Sequence, residues 1–480
     1  VETEQLLKAE LGKEASIACV GQAGENLSLI SGVVNDEGRL AARSGLGAVM
    51  GSKKLKAVAV VGHGKVPVKD PDRAEQLRKK YWDKIQGRNI PDVLRKYGTC
   101  GFTPGAIKKG DAPVKNWAGV WEVDYPNLDL LTGDSIIKYR VRKHGCLRCP
   151  IYCGGMVKID SGPYKVDECG KPEYETLASL GSLCGVDNLE AVLKANELCN
   201  ANGLDTISTG VSIAFAMECF ERGILTRKDT DGLELKFGSA EAMLQRIGMI
   251  ARKEGLGKIL AEGSARAAQM IGNGAEEFAM HVKRQEVPMH EPRWKQGMGL
   301  GYALSTTGAD HNHNIHDTVF RRTIDNELNS LGALEPLPVN DLSPAKVRLL
   351  YYGTTWQYLL NCLVACNFLV TFDVQRLVEL VRATTGWPTS AFELMKVGER
   401  CLQMTRAFNI RQGMTQAEDR LPERFFTPLA SGPGEGLKIE REAFEKARDI
   451  YYDMVGWDRT SGAPTLGKLQ ELDIEWVAGV

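Results

Sequence analysis

Three cysteines crowd into eight positions of HGCLRCPIYCGG, where Cys146, Cys149 and Cys153 stand at C-x2-C-x3-C spacing. One short loop can wrap three thiolates around a compact metal centre, with Pro150, Gly154 and Gly155 supplying bends and close approach. The rest of the chain must then bring a fourth ligand to that loop, which restricts the fold more than any other feature. A zinc site more often uses paired C-x2-C motifs, and the second pair is absent here. An iron–sulfur cluster is therefore favoured over zinc and over chance spacing. Cys362 and Cys366, in the apolar run LLNCLVACNFLV, are the distant partners available. Cys19, Cys100, Cys169, Cys184, Cys199, Cys219 and Cys401 are isolated, and the small buried hydrophobe is the reading that fits most of them. Twelve cysteines in 480 residues are too sparse for a disulfide scaffold.

A chain of 480 residues, 43% hydrophobic, can bury the cores of roughly two to four domains. Its 60 basic and 61 acidic residues leave a formal charge of −1, so no global attraction to nucleic acid or anionic lipid is expected. Any anionic ligand must be held locally. No apolar run is long enough for a membrane span and no signal peptide is visible, so the cytoplasm is the expected location. The chain opens with VETEQLL and passes at once into IACVGQAGENLSLISGVVN, which reads as the interior of a domain with an upstream segment missing.

Along the chain, residues 15–68 alternate apolar runs with glycine-rich breaks, and the pattern predicts β structure with tight turns. Asp70-Pro71 predicts an N-cap followed by proline at the first helical position, opening an amphipathic helix and placing a boundary near residue 69. From about 188 onward the spacing is helical. NLEAVLKANELCNANG ends in a C-cap signal at Gly203, and SAEAMLQRIGMIARKEG and KILAEGSARAAQMIG continue the pattern. A further boundary is expected near 281–295, more helices from about 344 to 416, and a last helix after the Pro- and Gly-rich stretch 422–436.

The turn Arg39-Leu40-Ala41-Ala42-Arg43-Ser44-Gly45-Leu46-Gly47 sets two arginines four apart beside flexible glycines, a combination that can hold phosphate oxygens; a plain β-turn with solvated arginines reads about equally well. The following GAVMGSKK has the wrong spacing for a P-loop, which disfavours a nucleotide triphosphatase. Read alone, PEYET around Glu175 is a surface turn, and His311, His313 and His316 in DHNHNIHD suggest a first-row metal site.

Taken together, AGENLSLISGVVNDEGRLAARSGLGAVMGSKKLKAVAV, the cysteine run, KPEYETLASLGSLCGVDNLEAVLKANELCNANGLDTISTG, KILAEGSARAAQ, EEFAMHVKRQEVPMHEPR, GMGLGYALSTTGADH and ATTGW resemble the aldehyde ferredoxin oxidoreductase family of tungsten-pterin enzymes. The likeness covers essentially the whole chain. It implies an α+β fold, mainly α. Residues 1–68 would be the C-terminal end of a β pterin-binding domain. Residues 69–285 would form a helical domain with three cluster cysteines, and 286–480 a helical domain with the fourth. The family pattern extends upstream, so the sequence is expected to be N-terminally truncated.

The resemblance also implies cofactors: one [4Fe–4S] cluster, a tungsten (or molybdenum) bis-pterin, and magnesium between the pterin phosphates. Cys146, Cys149, Cys153 and Cys366 match the cluster ligands. Arg39, Leu40, Ala42 and Arg43 match the turn holding one pterin. Leu204 and Asp205 match the segment touching the pterin ring, as do Asn361, Ala365 and Asn367 around the fourth cysteine. Glu175 and His311 fall on the glutamate and histidine beside the metal, where a carboxylate and an imidazole would move protons. Thr307, Gly308 and His313 fall on cofactor-contacting positions, and His316 lines the substrate channel or is structural. Cys184 lies near the cofactor and could occupy a tungsten coordination position, although a buried small residue is the favoured reading.

Asn200, Asn361 and Thr307 replace an Asp, an Asp and an Arg of the family pattern, which weakens charge-based contacts there. Lys194 and Glu197 stand where the prototype's dimer-bridging iron is bound, so any homodimer should lack that iron. The implied reaction oxidises an aldehyde to a carboxylic acid with ferredoxin, or another electron-transfer subunit, as partner. The alternatives are a low-potential reductase of aromatic acyl-CoA, related to the tungsten subunit of class II benzoyl-CoA reductase, and a non-catalytic metal-stabilised or electron-carrier module.

Overall fold

The computed structural model of the chain describes residues 1–35, 38–125, 127–321, 326–368 and 373–479. It forms two compact units. The first comprises Val1–Gly64, Asp92–Glu291 and Leu429–Gly436, and the second Lys65–Pro91, Pro292–Pro428 and Leu437–Val480. The fold is mostly helical with small sheets, the expected α+β, mainly α class.

In the first unit, β1 (Ser16–Val20), β2 (Val33–Asn35), β3 (Arg39–Ala41) and β4 (Ala57–Val60) form an antiparallel sheet in the order β3-β2-β1-β4. Alternation puts Ile17, Cys19 and Val34 into one small core with Ala15. The strand pattern expected over 15–68 is broken by two short helices, Gln22–Glu25 and Leu46–Ser52. Glycines bring these two together so tightly that a Cβ on Gly51 would overlap the Gly24 carbonyl oxygen, and that contact overrides the strand-like composition. Residues 36–37 lie outside the described residues.

A second sheet is the antiparallel meander β5 (Arg140–His144), β6 (Gly154–Ile159) and β7 (Val166–Gly170). The helix Leu189–Asn202 is capped by the Asn188 side chain and ends at Gly203 with φ 72°, where the sequence placed its stop. Thr206–Glu221 follows. It is buried on nearly every face from Ile207 to Cys219, the signature of a central core helix.

In the second unit, the Asp70 side chain accepts a hydrogen bond from Arg73 N at 2.9 Å and Pro71 opens the helix Pro71–Ile85, as read from the sequence. This helix packs on Val374–Thr385, with Asp70 N donating to Ala383 O at 2.8 Å and ion pairs Arg73–Glu379 at 3.2 Å and Lys84–Asp373 at 3.3 Å. Residues 65–91 therefore belong with the second unit rather than with the stretch that follows them in the chain. Helices Pro344–Cys362 and Ala391–Arg411 cross so closely that a Cβ on Gly398 would overlap Thr355 O. Trp356, Leu359, Leu377, Val378 and Leu394 fill the core, each large apolar side chain contributing about 1.5–3 kcal/mol by leaving water. Residues 369–372 of the expected helical stretch lie outside the described residues. No described helix is long and apolar enough to cross a membrane.

Candidate metal and proton-transfer site

The cysteine motif occupies residues 145–153, the connection between β5 and β6. Cys146 is exposed and Cys149 and Cys153 are half-buried. By contrast, six of the seven isolated cysteines are buried, the behaviour expected of small hydrophobes. Arg148 and Tyr152, each one residue ahead of a ligand candidate, adopt φ 57°. Left-handed backbone at bulky non-glycine residues is costly and persists where a loop's shape matters. This loop shape and donor set fit a cluster better than a core: three thiols kept near the surface on a bent backbone, with Leu147 fully exposed among them.

The glycine-rich turn lies against this loop. A Cβ on Gly154 would overlap Arg39 Nη2 and stand 2.6 Å from His144 O, so a larger residue would require the guanidinium and the strand to shift. Arg39 Nη1 pairs with Glu173 Oε1 at 3.2 Å, and Glu173 Oε2 accepts from Thr99 Oγ1 at 2.6 Å. Behind them Lys171 is buried, its Nζ 3.3 Å from Cys100 Sγ and 3.9 Å from Glu173. Burial opposes the charge on Glu173, but Lys171 and Arg39 outweigh it and hold that carboxyl below the usual glutamate range.

Leu40 and Ala42 are on this turn, which continues into Arg43 and Ser44, the latter at φ 69°. Arg43 Nη2 donates to Glu286 O at 2.5 Å, and its Nε stands 3.6 Å from Asp205 Oδ2. Asp205 caps the helix Thr206–Glu221 through Ile207 N and Ser208 N. Gly32 N donates to Gly203 O, and Ser31 bridges to Leu204. The two segments expected to hold a pterin, Arg39–Arg43 and Leu204–Asp205, thus form one ledge, and this adjacency fits a shared ligand. Asn200 sits at its edge, 3.6 Å from where a Gly38 Cβ would be, bonded to Asn196.

Glu175 lies in the short helix Tyr174–Leu177, its side chain 13% exposed. Its Oε2 accepts from Met289 N at 2.9 Å, and its Oε1 is 3.3 Å from His290 Nε2. His290 Nδ1 meets Asp111 Oδ2 at 3.1 Å. Neither His290 nor Asp111 was singled out by sequence reasoning; the only local signal is a His-Glu pair between prolines in VPMHEPR. Cys184 follows a π-helical turn, Ala178–Ser182, and is fully buried, its Sγ directed at Ser179 O and Gly210 O at 3.3 and 3.4 Å. Burial pushes its thiol well above the ordinary cysteine value, so it is a hydrogen-bond donor in the core. Lys194 and Glu197 pair with each other at 2.7 Å.

In the second unit, the His311 and His316 rings lie edge to face with centroids 6.5 Å apart, and each of the three histidines has a different polar neighbour. His311 Nε2 meets Asn312 Nδ2 at 3.2 Å, His313 Nδ1 meets Ser305 Oγ at 3.1 Å, and His316 Nδ1 meets Lys295 Nζ at 3.0 Å. Among the described residues, no three His, Cys, Asp or Glu side chains converge where a single metal ion could sit. A cubane cluster instead takes each thiolate on a different iron, so its ligands need not share one point. Thr307 is exposed, with Oγ1 3.5 Å from His313 Nε2, and Gly308 supplies the φ 91° that turns the chain toward His311. The helix carrying Asn361 ends at Cys362, and Val364, 93% exposed, then adopts φ 52° just ahead of Ala365 and the exposed Cys366. A β-branched residue with that φ is a rare conformation. Asn367 Oδ1 accepts from Gln357 Nε2 at 3.4 Å. Cys362 is itself adjacent to Cys401, whose thiol is pushed up to about 12 by burial and by that neighbour.

Comparison with known proteins agrees with this architecture. The family model described as "Aldehyde ferredoxin oxidoreductase, domains 2 & 3" matches residues 76–474, and that of the N-terminal domain matches residues 1–62. Tungsten-containing aldehyde ferredoxin oxidoreductases of Thermococcus kodakarensis and Pyrococcus furiosus are each 35% identical over 98% of this chain and 76% of their own length. The WOR-like subunit of an aliphatic sulfonate oxidoreductase of Pyrococcus furiosus is 30% identical over 96% of this chain and 70% of its own. Among solved structures, the active-site complex BamBC of benzoyl coenzyme A reductase shares the fold, with a TM-score of 0.81 at 24% identity over the whole of this chain and 76% of that one. With both family models matched in order and the cysteine loop, arginine turn and Asp205 segment joined in one unit, the chain belongs to the aldehyde ferredoxin oxidoreductase family of oxidoreductases.

Proposed function

We propose that this chain oxidises an aldehyde to a carboxylic acid, with a tungsten or molybdenum bis-pterin and one [4Fe–4S] cluster, and passes electrons to ferredoxin or a similar carrier. The observation that carries the reading is the seating of Arg39: one side chain belongs to the pterin turn and presses on Gly154 of the cysteine loop. A pterin on that turn and a cluster on that loop would be neighbours, as single-electron transfer between them requires.

Cys146, Cys149, Cys153 and Cys366 would hold the cluster. Arg39, Arg43, Leu204, Asp205 and Asn200 from the first unit, and Thr307, Gly308, His313, Asn361, Ala365 and Asn367 from the second, would hold the pterins. When bound, the metal-pterin supplies a two-electron acceptor beside the substrate carbon. Converting R–CHO and water to R–COOH also releases two protons, and these are the protein's task. Glu175 is fit for it, because its carboxylate is largely shielded from solvent yet fixed at one oxygen by Met289 N. His311 is the second proton-moving group. The core position of Cys184 supports a packing role over a metal ligand.

Aldehyde-dependent reduction of viologen by the anaerobically purified protein tests the reading. Turnover of aliphatic or aromatic aldehydes, reduced by Glu175→Gln by at least about 100-fold, is the expected result. Turnover of an aromatic acyl-CoA without aldehyde turnover would place the chain with the reductase branch instead, and no redox turnover of either would leave a structural or carrier module.

A further inference from the structure

The role of the groups around Glu175 rests on the proposed function, in which that carboxylate moves protons. A general base must pass on its proton before the next turnover, and a second acid–base group beside it can take that proton. Around Glu175 the structure supplies a second acid–base group. His290 Nε2 is 3.3 Å from Glu175 Oε1, while His290 Nδ1 is 3.1 Å from Asp111 Oδ2. The His290 and Asp111 side chains are each 9% exposed.

The imidazole is also clamped. The Tyr174 ring stacks on it with centroids 5.1 Å apart, and Tyr174 OH donates to Met289 O at 2.6 Å. Glu291 N donates to Asp111 O at 2.8 Å, tying the two backbone stretches together. His290 has a carboxylate oxygen within 3.3 Å of each ring nitrogen, and one of the two carboxylates is the candidate base.

We infer that Asp111 and His290 are the proton-accepting partner of Glu175. Once Glu175 carries a proton, its O–H bond breaks as an Nε2–H bond forms on His290, leaving a carboxylate and an imidazolium. Asp111 keeps the Nδ1 proton in place, which fixes the tautomer whose Nε2 lone pair faces Glu175 and stabilises the imidazolium, the logic of a carboxylate–histidine pair. The imidazolium then gives its Nε2 proton to water, and the ring returns to its starting tautomer. No electron moves, and one proton passes from Glu175 to solvent per cycle. His290 acts through Glu175 and is a positioning and relay residue.

The test compares wild type with His290→Gln, His290→Ala and Asp111→Asn in the anaerobically purified holoenzyme. The expected result is a kcat lowered about 100-fold in His290→Gln and His290→Ala, with KM and the metal, pterin and iron content unchanged, and with imidazole restoring part of the His290→Ala rate. Independently of turnover, 15N-histidine labelling should show the His290 ring, assigned by its absence in His290→Gln, protonated at Nδ1, and Asp111→Asn should shift it toward the Nε2 tautomer. The inference is overturned by an unchanged kcat in fully loaded His290→Gln, by an Nε2–H ring indifferent to Asp111→Asn, or by variants that lose cofactor with activity and show no imidazole rescue, which marks a structural role. Failure of the functional reading looks different: wild type itself then lacks pterin, and the tautomer result has no turnover to accompany it, which removes both.

Discussion

At the scale of single residues, Gly154 ties the two candidate cofactor segments together. Its missing Cβ admits Arg39, and Arg39 in turn anchors Glu173 and, through it, Thr99 and Tyr174. Gly154→Ala should displace the guanidinium, lowering stability by about 1–3 kcal/mol as overpacked sites do. Thermal unfolding and iron content measured on the same samples check it. The expected outcome is a lower Tm together with weaker iron retention, and an unchanged Tm with full iron would show that Arg39 yields at no cost. Residue-scale chemistry was only partly legible in the sequence. The cysteine spacing and the paired arginines stand within a few positions of one another, so the sequence displays them. Asp111 and His290 are 179 positions apart, and Glu175 is 115 from His290, so nothing in a local pattern could join them.

At the scale of elements, local signals were the dependable ones. Asp70 with Pro71 and the C-terminal Gly203 mark helix ends because capping depends on residues within one turn. The helices Gln22–Glu25 and Leu46–Ser52 were hidden inside a strand-like composition because they exist through a glycine-to-glycine contact with each other. Tertiary contact also decides where the second unit's C-terminal elements sit. Arg406, on the helix Ala391–Arg411, is fully buried and paired with the fully buried Asp419, with Tyr452 bonded to both and the guanidinium 4.2 Å from the Trp457 ring centroid. Asp419→Ala would leave that guanidinium buried and unpaired, so unfolding of the second unit should become easier by about 3–5 kcal/mol, read as a shift in a denaturant midpoint. A loss under about 1 kcal/mol would mean that water or Tyr452 replaces the carboxylate.

At the scale of the whole molecule, the candidate site residues are distributed over both units. Cys146, Cys149, Cys153, Glu175 and the arginine turn belong to the first, and Cys366, His311 and His313 to the second. Only family resemblance suggested a fourth cluster ligand at Cys366, because composition and periodicity carry no information on what a distant cysteine pairs with. Strained backbone recurs beside the candidate ligands in both units, at Arg148, Tyr152 and Val364. Left-handed backbone of this kind also occurs elsewhere in the chain, at Leu27, Lys115 and Asp231 among others, so metal and pterin content carry the test. Anaerobic purification followed by elemental analysis, pterin assay and EPR tests the proposed cofactor binding most directly. The expected result is tungsten or molybdenum with pterin, iron and sulfide in the proportion of one [4Fe–4S] cluster, and a reduced-cluster signal lost in Cys149→Ala; stoichiometric zinc with no pterin and no cluster signal would contradict it.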